Sequence, residues 1–223
     1  MELKLETTQD GANTFYLPHL DEHYHSTRGA IDEALHVFIN SGLRHHPKEQ
    51  INIFEVGFGT GLNAYLTFLE TQKNKNLFIN YSAIELYPLN KQQVELLNYP
   101  QLLDPKAAKY FYKIHEAKWN ESVSISPSFS LKKTQGDLTK DSTTIGLEKF
   151  DVVYFDAFGP DKQPEMWCNN IFEKIKLAAK ANCIIVTYSA KGSVRRLMQS
   201  IGLEVERIPG PPGKREMLRA TKR

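Results

Sequence analysis

A chain of 223 residues, 41% hydrophobic and 24% charged, is long enough for one α/β domain with a full core and short for two. Its formal charge of +2 marks neither a polyanion nor a general polycation, and no apolar run approaches the length that spans a bilayer. Met1 to Asp10 lacks the basic start and apolar centre of a signal peptide, so a cytoplasmic address is expected.

From the N-terminus, Leu3, Leu5 and Phe15 to Leu17 flank the turn residues Asp10 to Asn13, a β-hairpin pattern set ahead of the main sheet. The polar stretch from His19 to Ser26 leads into a helix carrying Ile31, Ala34, Leu35, Val37, Phe38 and Ile39. Four histidines lie between His19 and His36, but their spacing matches no common ligand set. Tyr24, Ser26 and Glu33 are read instead as pocket-lining residues. Cys168 and Cys183 are read as ordinary reduced thiols, and no metal is expected.

Ile51 to Val56 has the length and β-branched content of a buried parallel strand, and it ends on Gly57-x-Gly59-x-Gly61. Glycines there permit a tight turn and a close ligand, and Thr60 or Gly61 opens a helix whose first N–H groups face that ligand. A dinucleotide fingerprint needs Gly-x-Gly-x-x-Gly, so the third glycine is misplaced for a redox cofactor. With Glu55 two residues before Gly57, the loop resembles motif I of the class I S-adenosyl-L-methionine-dependent methyltransferases. That resemblance implies a cofactor cradle of Glu55, Gly57, Phe58, Gly59, Thr60, Gly61 and Asn63.

Helical spacing follows from Leu62 to Thr71, then a strand from Phe78 to Ile84 ending on Glu85. An acid at that strand end suits the two hydroxyls of a ribose. A helix is expected from Pro88 to Leu97. Between Leu102 and Phe129 the pattern weakens. Tyr110, Phe111, Tyr112 and Trp119 alternate with lysines there, which suits either base stacking or an irregular subdomain on the sheet edge. Ser122 to Ser126 and Ser128 to Lys132 read as a hairpin leading into a third strand that ends at Gly136 and Asp137. Leu138 to Leu147 is expected to help form the next connection.

Phe150 to Phe155 reads as a second buried strand, and Asp156 closes it at the position where open α/β sheets place their chemistry. Asp156 is therefore the catalytic candidate. A loop from Asp161 to Trp167 enters a helix through Ile171, Phe172, Ile175 and Leu177. Then come a strand from Cys183 to Tyr188, a helix from Val194 to Ile201, a strand from Leu203 to Ile208, a Pro/Gly loop, and a last strand from Lys214 to Ala220. From Lys191 to Arg223 nine Lys/Arg face three Asp/Glu, so this end is locally basic. The expected fold is α/β, a seven-stranded, mostly parallel, Rossmann-like sheet with helices on both faces. One domain covers residues 1–223, with 1–46 as the N-terminal addition and entry helix and 47–223 as the catalytic sheet.

Three motifs in order, Phe54 to Asn63, Asp156 to Pro160 with Lys162, Pro164, Met166 and Trp167, and Lys214 to Leu218, resemble the methyltransferase domain of the MnmC family. The stretch from Tyr24 through Gly29, Glu33 and Phe38 is similar to that domain's entry segment. The chain differs from the family pattern at Ala157 and Gly159, two exchanges among small residues. With no residues after Arg223 for a flavin-dependent oxidase, it resembles a stand-alone form.

The resemblance implies S-adenosyl-L-methionine as cofactor and N-methylation of the 5-aminomethyl group of a wobble uridine in tRNA. It implies adenine contact for Asp137 and ribose contact for Glu85. On the substrate side, it implies packing on the base by Tyr24, Phe158 and Trp167, with Ser26 and Pro160 nearby. Lys162, Lys191, Arg195, Arg196, Lys214 and Arg215 are expected at anticodon phosphates, with steep salt dependence of RNA binding as the signature. Two other readings share this sequence. One is an aminopropyltransferase of the spermidine synthase kind, or another small-molecule methyltransferase. The other is a tRNA-binding module without chemistry.

Overall fold

The structure is a computed structural model that describes residues 2–140 and 145–223. In chain order, β1 (Lys4–Thr7), β2 (Asn13–Leu17) and β3 (Glu22–His23) form a small antiparallel sheet. Helix α1 (Ala30–Ala34) continues as a π-helical stretch, Leu35–Asn40. The Asp10 carboxylate accepts the N–H groups of Ile31 (2.8 Å) and Asp32 (3.2 Å), which ties the small sheet to the first turn of α1.

The main sheet begins with β4 (Gln50–Val56), followed by α2 (Leu62–Lys73), β5 (Phe78–Glu85), α3 (Lys91–Glu95), α4 (Tyr99–Leu103) and α5 (Ala108–Glu116). It continues through β6 (Ser122–Ser126), β7 (Phe129–Gln135), β8 (Phe150–Phe155), α6 (Asn169–Ala178) and β9 (Ala179–Thr187). Helix α7 (Gly192–Ser200), β10 (Glu204–Pro209) and β11 (Glu216–Thr221) complete it. The strand order is β10-β11-β9-β8-β4-β5-β7-β6. Strands β7, β5, β4, β8 and β9 are parallel, and β11 lies antiparallel between β9 and β10. The last strand, β11, thus runs against the parallel strands.

Eight strands stand where seven were expected. The expected hairpin is not a preface to the third strand: its second arm, β7, is that strand, and β6 adds antiparallel to it at the edge. The stretch from Leu102 is largely helical, and its aromatics fill the core. Phe111 is fully buried against Tyr65 and Tyr99, and Tyr110 packs on Phe68. The connection expected from Leu138 to Leu147 falls partly on residues 141–144, outside the described residues.

Two apolar layers sandwich the sheet. One centres on α1, α2 and α5, the other on α6 and α7. Helix α2 is buried from Leu62 to Thr71, because the α1 extension and α5 cover what β5 does not. Register then sets the site. Val56 lies beside Ile84 on one side and Phe155 on the other, so β4, β5 and β8 end at one height. Among the described residues no helix is long and apolar enough to cross a membrane.

At the opposite end of the sheet, the buried Asp151 carboxylate accepts from Lys48 Nζ (3.1 Å), Lys180 Nζ (2.8 Å) and Asn52 N–H (2.9 Å). Burial alone would raise its pKa, but the bonds from Lys180, Asn52 and Lys48 together hold it below the usual range. A depressed native pKa contributes stability above the unfolded value of about 3.9, lost as pH falls through the lower native value. Asp151→Ala is expected to cost about 2–3 kcal/mol at neutral pH, read by urea unfolding, because two lysines and an amide lose their acceptor. The difference should shrink in acid.

Candidate active site

The tip of β4 turns on three glycines in the left-handed region, with φ of +85° at Gly57, +48° at Gly59 and +70° at Gly61. The N–H groups of Gly57 and Phe58 both donate to Ile84 O, at 3.0 and 3.2 Å, which pins the turn to the end of β5. A Cβ on Gly57 would stand 2.5 Å from the carbonyl oxygen of Asp156, so the loop and the end of β8 touch through backbone. Gly61 opens α2, whose first residues Leu62 and Asn63 face the cavity over the loop.

That cavity holds about 780 Å³, inside the range of about 300–1,000 Å³ typical of small-molecule sites. It is lined by Tyr24, Ser26, Gly57, Phe58, Gly59, Thr60, Asn63, Glu85, Asp137, Asp156, Phe158, Lys162 and Lys214, all singled out from the sequence. The structure therefore gathers most of the expected cofactor residues and part of the substrate set at one place. Tyr24 and Phe158 meet edge to face with centroids 5.3 Å apart and form one wall.

Glu85 accepts Gly59 N–H on one oxygen and Tyr87 N–H on the other, both at 2.9 Å. A carboxylate oxygen has a second lone-pair direction, so Glu85 can still receive ribose hydroxyls while it anchors the loop. Asp137 Oδ1 accepts the N–H of Thr139 at 2.9 Å as well as its hydroxyl, and that hydroxyl bond holds the carboxyl below its ordinary range. An acceptor charged at neutral pH suits an exocyclic amine. Paired glycines under a helix N-terminus, Glu85 and Asp137 thus fit an adenosyl amino acid cofactor.

Asn63 Nδ2 donates to Glu55 Oε1 at 3.0 Å and to Asp156 Oδ2 at 2.8 Å, bridging two carboxyls on adjacent strands. Asp156 is partly exposed, its open side toward the cavity. Burial pushes its carboxyl up to about 7; Glu33 adds to the rise, while Asn63 and Lys214 oppose it. Glu55 is fully buried and does not line the cavity, and burial followed by the Asp156 charge raises it well above the carboxylate range. Its place is to orient Asn63 from below, not to touch a ligand.

Several substrate-side expectations land elsewhere. Trp167 is buried, its indole N–H donating to Phe158 O at 2.7 Å and its ring packed on Phe155 and Phe172. It supports Phe158 from behind and has no face for a base. Pro160, Arg195, Arg196 and Arg215 are outside the cavity lining, the two central arginines on α7 and Arg215 exposed before β11. Lys162 is paired with Asp21 at 3.0 Å, Lys191 with Asp161, and Lys214 with Glu33 at 2.8 Å, so these lysines clip neighbouring segments. Gly61 lies behind the loop, where a Cβ would meet His115 Nε2 at 2.8 Å.

Sequence reasoning missed the groups that hold the loop from below. His25 sits between Thr14 Oγ1 (3.1 Å) and Thr60 Oγ1 (3.2 Å), joining β2 to the glycine loop. Burial lowers it to about 4, so it is neutral, with one donor and one acceptor for two hydroxyls. His115 donates from Nε2 to Thr60 O at 3.0 Å, and burial lowers it to about 3. Lys133, buried and lowered to about 8 by desolvation, lies over the rings of Trp119 (4.7 Å) and Phe58 (5.3 Å). Among the described residues no group of three or more His, Cys, Asp or Glu is placed to hold a metal ion.

Comparison with known proteins agrees with this geometry. The model of a family described as S-adenosyl-L-methionine-dependent methyltransferase matches residues 103–223. The bifunctional protein MnmC of tRNA 5-methylaminomethyl-2-thiouridine biosynthesis from Idiomarina loihiensis is 32% identical over 218 residues, covering 89% of this chain and 35% of that protein. Its counterpart from Azoarcus sp. is 30% identical over 231 residues, covering 96% and 35%. The chain thus spans about a third of the length of the curated relatives it matches. The crystal structure of MnmC2 from Aquifex aeolicus superposes with a TM-score of 0.80 at 26% identity, over 98% of this chain and 70% of that one. The chain belongs to the S-adenosyl-L-methionine-dependent methyltransferase family, among the methyltransferase domains of MnmC.

Proposed function

We propose that the protein methylates the primary amine of 5-aminomethyluridine, with or without 2-thiolation, at the wobble position of tRNA, giving the 5-methylaminomethyl base. One observation carries the reading: Asp156 opens into the cavity beside the glycine cradle with its carboxyl raised to about 7. When bound, S-adenosyl-L-methionine supplies an electrophilic methyl carbon whose sulfur leaves as a neutral thioether once the amine's lone pair bonds that carbon.

An ammonium has no lone pair, so the site must take a proton first. Asp156 Oδ2 is occupied by Asn63, which leaves Oδ1 to receive the amine and its proton. A carboxylate shifted toward 7 is a far better acceptor than an ordinary one, and it releases the proton to water when the product leaves. Tyr24 and Phe158 wall the cavity and exclude water from the transfer line. A wobble base must leave the anticodon stack to reach this depth. Arg195 and Arg196 on α7 and Arg215 in the loop before β11 are where we place anticodon phosphates.

Aminopropyl transfer to a polyamine stays as a second reading, because Glu22 and Glu33 join Asp156 in the cavity lining and an acidic end suits a polycation. Incubation with methyl-labelled cofactor and tRNA from a strain lacking this protein separates the readings. Labelled nucleoside after digestion supports methylation of RNA. Label in a small amine alone supports small-molecule methylation instead. Aminopropyl transfer is read with methyl-labelled decarboxylated cofactor and a polyamine, where the label stays on sulfur in methylthioadenosine, and no turnover in either assay supports a binding module.

A further inference from the structure

The acidic end of the cavity contains more than the reaction above uses. Glu33, on the first turn of α1, keeps only 13% of its side chain exposed. Lys214 Nζ stands 2.8 Å from Glu33 Oε2, yet that oxygen is buried and receives no aligned hydrogen bond, so the contact is one of charge. The same ammonium lies 4.3 Å from the centroid of the Tyr188 ring. Tyr188 is fixed in turn, its hydroxyl donating to Ala157 O at 2.8 Å, one residue past Asp156.

A carboxylate and an aromatic face around one cation is the arrangement by which proteins recognise alkylammonium groups. Lys214 carries an alkylammonium, the same chemical group as a protonated aminomethyl arm. The two sides of the pair differ in rigidity. Glu33 sits on a helix whose first turn is capped by Asp10, whereas Lys214 is a long side chain, 35% exposed, next to the loop after β10. Exchange of one ammonium for another therefore costs the protein little reorganisation.

We propose that Glu33 is the second carboxylate of the amine site and that Lys214 is an internal stand-in for the substrate, displaced from Glu33 and Tyr188 when an aminomethyl group enters. This rests on the function proposed above. It explains why one site needs two acids: a neutral primary amine has two N–H groups, and with one held by Asp156 and the other by Glu33 its lone pair has one direction left. Glu33 is then a positioning residue, and Lys214 sets a threshold that only a cationic arm meets.

The test uses synthetic anticodon stem-loops carrying either 5-aminomethyluridine or 5-hydroxymethyluridine at the wobble position. Dissociation constants are measured by fluorescence anisotropy on the full chain with S-adenosylhomocysteine present. The unaltered protein should prefer the amine RNA by about tenfold, the size of one buried charged hydrogen bond. In Glu33→Gln, which keeps the side-chain volume, that preference should fall severalfold, to what Asp156 alone supplies, with the hydroxymethyl RNA still bound. In Lys214→Met, which leaves Glu33 without its competitor, the preference should increase.

An unchanged preference in Glu33→Gln overturns the assignment. So does a selective loss of the amine RNA in Lys214→Met, which also decides the matter if Glu33→Gln fails to fold. If the unaltered protein transfers label to neither RNA when given S-adenosyl-L-methionine, the proposed function itself falls and this assignment falls with it. A lost Glu33 effect beside intact methylation removes the assignment alone.

Discussion

Replacing Asp156 with alanine is expected to lower methyl-transfer turnover by about 10²- to 10⁴-fold, the range of a lost proton acceptor, with cofactor affinity changed by less than about threefold. The asymmetry follows from geometry. Asp156 contacts the cradle through its backbone, where N–H donates to Val56 O at 3.0 Å, and that contact survives in the variant. What disappears is the carboxylate, together with one acceptor for Asn63, which still has Glu55. Single-turnover kinetics beside calorimetric titration of the cofactor separates the two quantities. Equal turnover in the variant removes Asp156 from the mechanism.

The pH dependence carries a sign. With its carboxyl raised to about 7, Asp156 is largely protonated in acid, so turnover should climb as pH rises through about 7. Stability moves the other way. A carboxyl whose native pKa exceeds the unfolded value of about 3.9 contributes fully only below that value, and its contribution is lost as pH rises toward 7. Asp156→Asn keeps an acceptor for Asn63 and removes the charge. It should be inactive yet more stable than the natural protein at pH 8, on the order of 1–2 kcal/mol, with the gain shrinking toward pH 4.

The second large effect is expected at Gly57. Gly57→Ala would place Cβ against the Asp156 carbonyl oxygen, 2.5 Å away, at a φ of +85° that alanine resists. Neither side can yield. Gly57 N–H is held by Ile84 O, and the Asp156 backbone is held by Val56. The variant should lose about 2–4 kcal/mol of stability and at least tenfold in cofactor affinity, because moving the turn moves the cradle and the end of β8 together. Gly136→Ala is the control. There the nearest protein atoms are side-chain carbons at 3.7 Å or more, and the melting temperature should hardly move. Matching losses of stability in both variants would mean that the close approach at Gly57 has no special role.

Much of this was legible in the sequence because it is local. A run such as Phe150 to Phe155 reads as a buried strand, and three glycines after β4 read as a tight turn that lets a ligand approach. Strand tips then follow from chain order. What escaped is non-local. His115 lies 55 residues from the Thr60 carbonyl it supports, and His25 lies 35 from the hydroxyl it meets. Nothing in either neighbourhood announces the partner. The family resemblance casts Trp167 as packing on the base, yet its indole has an internal acceptor at Phe158 and turns inward. Lys162 and Lys214 read as phosphate contacts from charge alone, and only their distances to Asp21 and Glu33 show that each is already paired.

In the proposed site the glycine turn, Glu85, Asp137 and Asp156 serve one sulfur-bearing nucleoside. A crystal structure of the protein grown with S-adenosylhomocysteine tests it most directly. The ribose hydroxyls should lie on Glu85, the adenine amine on Asp137, the amino acid end against Gly57 and Gly59, and the sulfur should face the Asp156 carboxylate. A nucleoside seated elsewhere, or a redox dinucleotide preferred at this turn, would contradict it.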